Sequence, residues 1–331
     1  MKVLSLFAGA GGLDRGFENA GFEVVWANEY DKDIWETFEA NFPKEKTKLD
    51  RRSIVDISSA EIPDDIDGII GGPPCQSWSE FGSNRGITDP RGQLFFQYAR
   101  VIEDKKPKFF LAENVSGILA ARHRPALEGI ITRLEQADYR VRYKLLNASG
   151  FGVPQDRERV IFVGYRKDQD KTFEFPEPTK TMRALYDAIW DLWYPKDMAV
   201  PALPGNKANP NLAVPNHEYF ESTYSPHYMS RNRVRGWFEP SFTIQAGARH
   251  APIHPQANKM IWIAKDKFEF DPASEKPYRR LSVRECARIQ TFPDGFKFIY
   301  TNVGNGYKMI GNAVPVKFAE VLARKIKADF E

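Results

Sequence analysis

The apolar run Gly68-Ile69-Ile70 stops at Gly71-Gly72-Pro73-Pro74-Cys75-Gln76-Ser77-Trp78-Ser79. Two glycines and two prolines exclude both a helix and a strand ladder, so the run reads as a buried strand ending in a loop. Open α/β sheets hold their ligands at strand ends. The prolines restrict the backbone ahead of Cys75 and keep its thiol in one place, which is nucleophile placement. The alternative is a free cysteine used as a small core residue. The polar neighbours Gln76, Ser77 and Ser79, all able to hydrogen bond, favour the first reading.

The rest of the chain supplies a sheet for this strand. Val3 to Phe7 reads as a first buried strand, and Ala8-Gly9-Ala10-Gly11-Gly12 leads into an amphipathic helix over Leu13 to Ala20 that stops at Gly21. A glycine turn between strand and helix lets the backbone approach a ligand and aims helix N–H groups at it. A second strand, Glu23 to Ala27, ends at Asn28-Glu29. A carboxylate there can accept from both hydroxyls of a ribose, which makes Glu29 a nucleoside-binding candidate. A loop that merely turns the chain is the competing reading, and a dinucleotide-binding dehydrogenase would begin in a similar way.

A helix over Lys32 to Phe42 and a polar connection lead to Val55-Asp56-Ile57. Leu94-Phe95-Phe96 opens a helix through Ile102, and Lys108 to Ala112 is a further strand, ending in Glu113-Asn114-Val115. Glu113 is expected near Cys75 if the two strands are sheet neighbours; capping the next helix is its alternative role. A helix over Pro125 to Ala137 precedes strands over Arg140 to Asn147 and Val160 to Tyr165. Between these strands, Gln155-Asp156-Arg157-Glu158-Arg159 is expected to place both guanidinium groups on one face of the entering strand. A solvated charge run is the alternative.

At 331 residues the chain accommodates one large domain and a smaller one. Its net charge of +3 is too mild for a polycation, so any nucleic-acid surface must come from local clusters of Arg and Lys. Cys75 and Cys286 are the only cysteines, too few for a disulfide framework or a zinc site. His250 and His254 are denied a helix by Pro252 and Pro255, so no metal is expected. The first apolar run is too short for a signal sequence, and none approaches the roughly 18 apolar residues of a membrane span. A cytoplasmic monomer with no membrane partner is the expectation.

Composition shifts after Lys167, where 174–179 and 195–215 become rich in proline and polar residues. The expected division is 1–170 as a catalytic and cofactor domain, 171–276 as a small irregular domain, and 277–331 returning to the first. Within the middle part, arginine concentrates in Ser230-Arg231-Asn232-Arg233-Val234-Arg235 and at Arg249. Such arginines either bind guanine edges bidentately or grip phosphates. Further on, Ser282 and Glu285 read as a capping box for a helix over Val283 to Gln290, with Cys286 on its apolar side. Gly311-Asn312-Ala313-Val314-Pro315 precedes a closing helix over Val316 to Ala328.

With these motifs in this order, the chain resembles the cytosine-5 DNA methyltransferases over nearly its whole length. The resemblance rests on Pro74-Cys75-Gln76, on the Phe-x-Gly-x-Gly-Gly loop from Phe7, on Glu113-Asn114-Val115, on Gln155-x-Arg157-x-Arg159 and on Gly311-Asn312. It implies an α/β fold: a Rossmann-like sheet dependent on S-adenosylmethionine, with a small target-recognition domain inserted near the C-terminal end. It makes Cys75 the nucleophile, Glu113 the group at the cytosine ring nitrogen, Arg159 the contact to the cytosine carbonyl oxygen, and Arg157 a partner of the flipped nucleotide or of Glu113. It assigns the cofactor, released as S-adenosylhomocysteine, to Phe7, Gly9, Gly11, Glu29, Asp56, Ile57, Pro74, Leu94 and Asn312. Val55 stands where the family usually has glycine, so a solvated loop carboxylate remains the other reading of Asp56; an ordinary turn residue is the other reading of Asn312.

Residues 80–92 resemble the family's mobile loop that closes over DNA, with Ser79 and Arg91 as DNA contacts; a plain surface loop is the alternative. The arginine run and His254-Pro255-Gln256-Ala257 resemble the recognition segment of bacterial modification enzymes that methylate GGCC and related GC-rich palindromes, with Arg231, Arg233 and Arg249 as candidate base contacts. The implied partner is double-stranded DNA, and the implied setting is a type II restriction-modification system with a cognate endonuclease as genetic partner. The rival readings are a tRNA cytosine-5 methyltransferase and a non-enzymatic DNA-binding regulator.

Overall fold

The computed structural model describes residues 1–74, 94–194 and 198–331. Among these, the strands are β1 Lys2–Leu6, β2 Glu23–Asn28, β3 Lys48–Asp50, β4 Gly68–Gly71, β5 Phe109–Val115, β6 Tyr139–Asn147, β7 Glu158–Arg166, β8 Val200–Pro201, β9 Glu218–Tyr219, β10 Ile261–Ala264 and β11 Lys267–Glu269. The α-helices are α1 Gly12–Asn19, α2 Trp35–Asn41, α3 Leu94–Lys105, α4 Arg124–Gln136, α5 Leu185–Ile189, α6 Val283–Ile289, α7 Val303–Asn312 and α8 Val316–Phe330. The chain forms two compact units: Met1–Asn147, Glu158–Pro178 and Phe318–Glu331 make the first, and Ala148–Arg157 with Thr179–Lys317 the second.

The first unit is built on a seven-stranded sheet in the order β3-β2-β1-β4-β5-β7-β6. Neighbours from β3 through β5 are parallel, and β7 runs antiparallel between β5 and β6. Val3, Leu4, Ser5, Leu6, Ile69 and Ile70 are all 0% exposed, as strands covered on both faces must be. The Tyr98 hydroxyl of α3 lies 2.8 Å from the Leu111 carbonyl and 3.1 Å from that of Ile69, tying the helix to β5 and β4. Strand order reverses between β1 and β4, and their last residues, Leu6 and Gly71, are in register. Gly71 is also in register with Ala112 of β5. The loops after β1 and β4 therefore leave the sheet side by side, at the position where such sheets hold ligands, and β5 runs on past that level through Glu113, Asn114 and Val115.

Two local differences from expectation have physical causes. The polar connection before Val55 contains β3, which pairs with β2 from Trp26↔Lys48 to Asn28↔Asp50 at the sheet edge, where alternation with polar residues is tolerated. The second helix begins at Trp35 rather than Lys32, because the chain first turns about Glu29: the Asp31 amide donates to Glu29 Oε1 and the Trp35 indole to the Glu29 carbonyl.

The second unit is irregular, with two-stranded pairs β8–β9 and β10–β11, but it extends beyond the expected 171–276. It takes Ala148–Arg157 and keeps α6 and α7, so the return to the first unit comes at Phe318 rather than at 277. Buried polar chains bind those helices to it. The Tyr307 hydroxyl of α7 donates to the Leu281 carbonyl at 2.5 Å, and Arg284 of α6 reaches the Pro215 and Phe296 carbonyls. The capping box holds: the Ser282 amide donates to Glu285 Oε2 at 2.7 Å, and the Glu285 amide to Ser282 Oγ at 3.1 Å. Burial by itself would raise the Glu285 carboxyl, but the two-pronged Arg279 at 2.7 and 2.8 Å outweighs it and holds the acid well below the usual carboxylate range. Cys286 is 0% exposed in the core, as its place on the helix suggests. Helix α7 has no sequence signature of its own, since Gly304, Gly306 and Gly311 lower its propensity.

One group in the first unit conflicts with its surroundings. Asp14 of α1 is 0% exposed, and neither carboxylate oxygen has a well-formed hydrogen bond among the described residues. Burial pushes its carboxyl up to about 7, against weaker opposition from the Ser5 hydroxyl. The folded state thus holds a proton that the unfolded chain releases near the ordinary carboxylate value. Stability should fall as pH rises through the interval up to about 7, by about 1.4 kcal/mol for each pH unit crossed. Asp14→Asn, a neutral isostere, is expected to raise the melting temperature by several degrees at pH 8 and by clearly less at pH 5. A gain that is equal at both pH values in thermal melts would mean that the acid is not held uncharged.

Candidate active site

The site grows from the ends of β1, β2, β4 and β5. After β1, Phe7 takes φ 55°, and Gly9 and Gly11 take φ 57° and 87°, so the chain curls in a conformation that glycine tolerates and phenylalanine does not favour. The curl is pinned by Glu29 at the end of β2: the Gly9 amide donates to Glu29 Oε2 at 2.8 Å, and the Asp31 amide to Oε1 at 2.7 Å. The two bonds orient the carboxylate at the end of β2, beside the glycine curl. The Ala8 amide donates to the Asn28 carbonyl and the Glu29 amide to the Asp50 carbonyl, extending the order outward to β3.

Residues 54–56 form a single 3-10 turn capped by Ser53, with Asp56 exposed and Ile57 buried. Arg100 of α3 fastens this turn, donating to the Ile54 and Ile57 carbonyls at 2.9 and 3.2 Å. Arg100 carries no sequence signal, because nothing in a helical arginine announces which carbonyls it will meet. Phe7 and Leu94, both half-buried, pack against the margin of the core of this unit, and Pro74 is half-buried at the end of its loop.

At β5, Glu113 is 8% exposed and its Oε1 lies 2.7 Å from Arg159 Nε of β7. The pairing follows from sheet register, with Val115 opposite Arg159. Glu113 Oε2 faces the turn after β4: a Cβ placed on Gly72 would stand 3.5 Å from it. Asn114, 1% exposed, donates to the Pro73 carbonyl at 3.3 Å and so holds the same turn from beneath. Strand-end neighbourhood thus brings Glu113 and Arg159 together against the segment that runs into Cys75. Cys75, Ser79 and Arg91 lie outside the described residues, as does the 80–92 segment.

Arg157 departs from expectation. It precedes β7 rather than sharing a strand face with Arg159, and it is 1% exposed. Its guanidinium donates to the carbonyls of Ile244, Gly311 and Ala313 at 2.9, 2.8 and 3.0 Å, all within the second unit. The three arginines expected to contact DNA, Arg231, Arg233 and Arg249, also differ from one another. Arg231 and Arg249 are exposed. Arg233 is 7% exposed, with its guanidinium 4.6 Å from the centre of the Tyr228 ring and donating to the Tyr228 and His227 carbonyls. Burial lowers its pKa to about 10. Alternation along a segment does not present all its cations when the segment winds over a tyrosine. Asn312, at the end of α7, is exposed within the second unit.

Among the described residues, no group of three or more His, Cys, Asp or Glu is arranged to hold a metal ion, and no helix is long and apolar enough to cross a membrane.

Comparison with known proteins bears on this arrangement as a whole. Type II methyltransferase M.MthTI of Methanothermobacter thermautotrophicus is 57% identical over 332 residues, covering 100% of this chain and 98% of its own. Type II methyltransferase M.NgoPII of Neisseria gonorrhoeae is 53% identical over 335 residues, covering 100% and 96%. In fold, the chain is similar to a prophage-encoded DNA modification methyltransferase from E. coli, with a TM-score of 0.73 at 23% identity, covering 100% of this chain and 99% of that one. Residues 1–328 match the family described as C-5 cytosine-specific DNA methylase. A relationship of that extent and identity takes in both units and every strand end described above, and the chain belongs to the C-5 cytosine-specific DNA methylase family.

Proposed function

We propose that this enzyme transfers a methyl group to carbon 5 of a cytosine flipped out of duplex DNA, within a short GC-rich sequence for which GGCC is the best candidate. The observation that carries the reading is the Glu113–Arg159 pair at 2.7 Å, set against the turn that leads into Cys75. In this reading the modification protects DNA from a cognate endonuclease.

The chemistry needs each part. Carbon 6 of cytosine cannot be reached inside the stack, so the base leaves the duplex. The Cys75 thiolate adds to carbon 6 while Glu113 hydrogen bonds or protonates the adjacent ring nitrogen and Arg159 binds the carbonyl oxygen, so that developing charge is accommodated. Loss of the carbon 5 proton after methyl transfer, and of Cys75, restores the aromatic ring. S-adenosylmethionine, when bound, supplies the electrophilic methyl group.

The first unit is suited to that cofactor. A Cβ on Gly9 would meet nothing within 4 Å, so the main chain there is open to a ligand, while Gly11 lets the curl pack on Phe42; Glu29, oriented by the Gly9 and Asp31 amides, is the acceptor for a ribose. Phe7, Ile57, Leu94 and Pro74 supply apolar contact, and Asp56 an exposed acceptor. In the second unit, Arg231 and Arg249 are the exposed candidates for DNA contact, joined by Arg233 if it releases the Tyr228 and His227 carbonyls.

Bisulfite sequencing of DNA from cells expressing the protein tests the reaction and the target together. Cytosines protected within one recurring motif are expected, with none protected in cells expressing Cys75→Ala; a motif other than GGCC would keep the reaction and discard the proposed site. Methyl transfer to tRNA but not to duplex DNA by the purified protein would overturn the reading. Glu113→Gln is expected to slow single-turnover methylation by about 10²- to 10⁴-fold while leaving DNA affinity nearly unchanged. Glu29→Ala is expected to weaken S-adenosylhomocysteine about tenfold or more in titration calorimetry, and an unchanged affinity would remove Glu29 from the pocket.

A further inference from the structure

The motif Gln155-x-Arg157 turns its side chains inward. Gln155, Arg157 and Gln290 are each 1% exposed or less. Gln155 Nε2 donates to Gln290 Oε1 at 2.8 Å, and Gln155 Oε1 accepts from the Ile244 amide at 2.8 Å. Arg157 Nη1 donates to the Ile244 carbonyl at 2.9 Å. Both main-chain polar groups of one buried residue are thus satisfied by two side chains of one motif. In a loop without a strand partner, that is a substitute for a ladder.

The segment after Ile244 explains why that residue is held. Residues 245–250 form a surface loop whose far end is also fixed from within: Arg280 Nε donates to the Arg249 carbonyl at 3.4 Å, and the Tyr228 hydroxyl to the Ala251 carbonyl at 2.7 Å. Its back rests on Gly311 of α7. A Cβ there would fall 2.3 Å from the Gln245 carbonyl carbon, so no other residue admits this approach. Arg157 Nη2 locks the same helix end through the Gly311 carbonyl at 2.8 Å. The main chain of the loop is therefore anchored at both ends and at its back. By contrast, the Gln245 and Arg249 side chains make no hydrogen bond or ion pair among the described residues. A rigid main chain carrying unengaged polar side chains is how a reading loop is preorganised.

We propose that Gln155 and Arg157 are positioning residues for a DNA-recognition loop, residues 245–250, in which Gln245 joins Arg249 as a specificity-determining residue. The proposal rests on the reading of the second unit as the DNA-binding part. Neither Gln155 nor Arg157 touches the duplex. They set the height and register at which the loop meets it.

The test uses the full-length enzyme with a duplex carrying its methylated sequence and duplexes with one base pair changed outside the target cytosine. Gln155→Met keeps length and removes both amide bonds. It is expected to lower discrimination, the ratio of kcat/KM values between correct and altered duplex, by about tenfold. The kcat on the correct duplex and the affinity for S-adenosylhomocysteine should stay within about threefold. A general loss of folded enzyme would scale both duplexes equally and leave the ratio unmoved. Gln245→Ala should lower the same ratio directly.

Arg249→Ala, alone and combined with Gln155→Met, closes the cycle. If Gln155 acts through the loop, the losses in DNA affinity are non-additive. Additive losses, or unchanged discrimination in folded Gln155→Met, overturn the positioning role. No effect of Arg249→Ala on DNA affinity overturns instead the DNA reading of the loop. Arg157→Lys, which keeps the charge and part of the donor set, provides the same measurement should Gln155→Met fail to fold.

Discussion

Parallel pairing of β1, β4 and β5 is the constraint on which the first unit depends. It brings Leu6, Gly71 and Ala112 to one level, so that the loops after β1 and β4 leave the sheet together at the reversal of strand order while β5 carries Glu113 just beyond them. The positions of Glu29, Glu113 and the turn into Cys75 are consequences of that pairing. Arg159 enters the same arrangement from β7, the antiparallel strand, which lets the start of one strand stand beside the end of another.

The second unit is organised on a different principle. It has little regular sheet, and its shape is kept by buried polar side chains that reach main-chain groups far away in sequence. Arg157, Gln155 and Gln290 bind the ends of separate segments, while Arg279 and Glu285 form a fully buried ion pair at the head of α6. Networks of this kind define one arrangement sharply, since each unsatisfied member would cost about 1–3 kcal/mol.

Much of the first unit is legible because its signals are local. The apolar runs, the glycine curl after Phe7 and the stop at Gly21 all depend on residues within a few positions of one another, as does the capping box of Ser282 and Glu285 in the second unit. The elements without such a signature have non-local causes. Strand β3 is polar and exists because β2 offers it an edge, and α7 is glycine-rich and exists because Gly306 and Gly311 must pass close to other chain segments. The boundary expected at 277 fails for the same reason: regular helices look like a return to the regular domain, whereas α6 and α7 pack within the irregular one.

Residue types and spacing by themselves determined the α/β class and the strand-end glycines and carboxylates, and the order of the motifs carried the resemblance to the family. Only the tertiary structure separated Arg159 from Arg157, and Arg231 and Arg249 from Arg233. Alternation specifies a face only inside a strand, and β7 begins at Glu158. Whether an arginine is presented or consumed depends on which carbonyls come within reach. Those that engage Arg157 lie 87 and more residues away, brought there by the packing of the whole unit rather than by the pattern around the arginine.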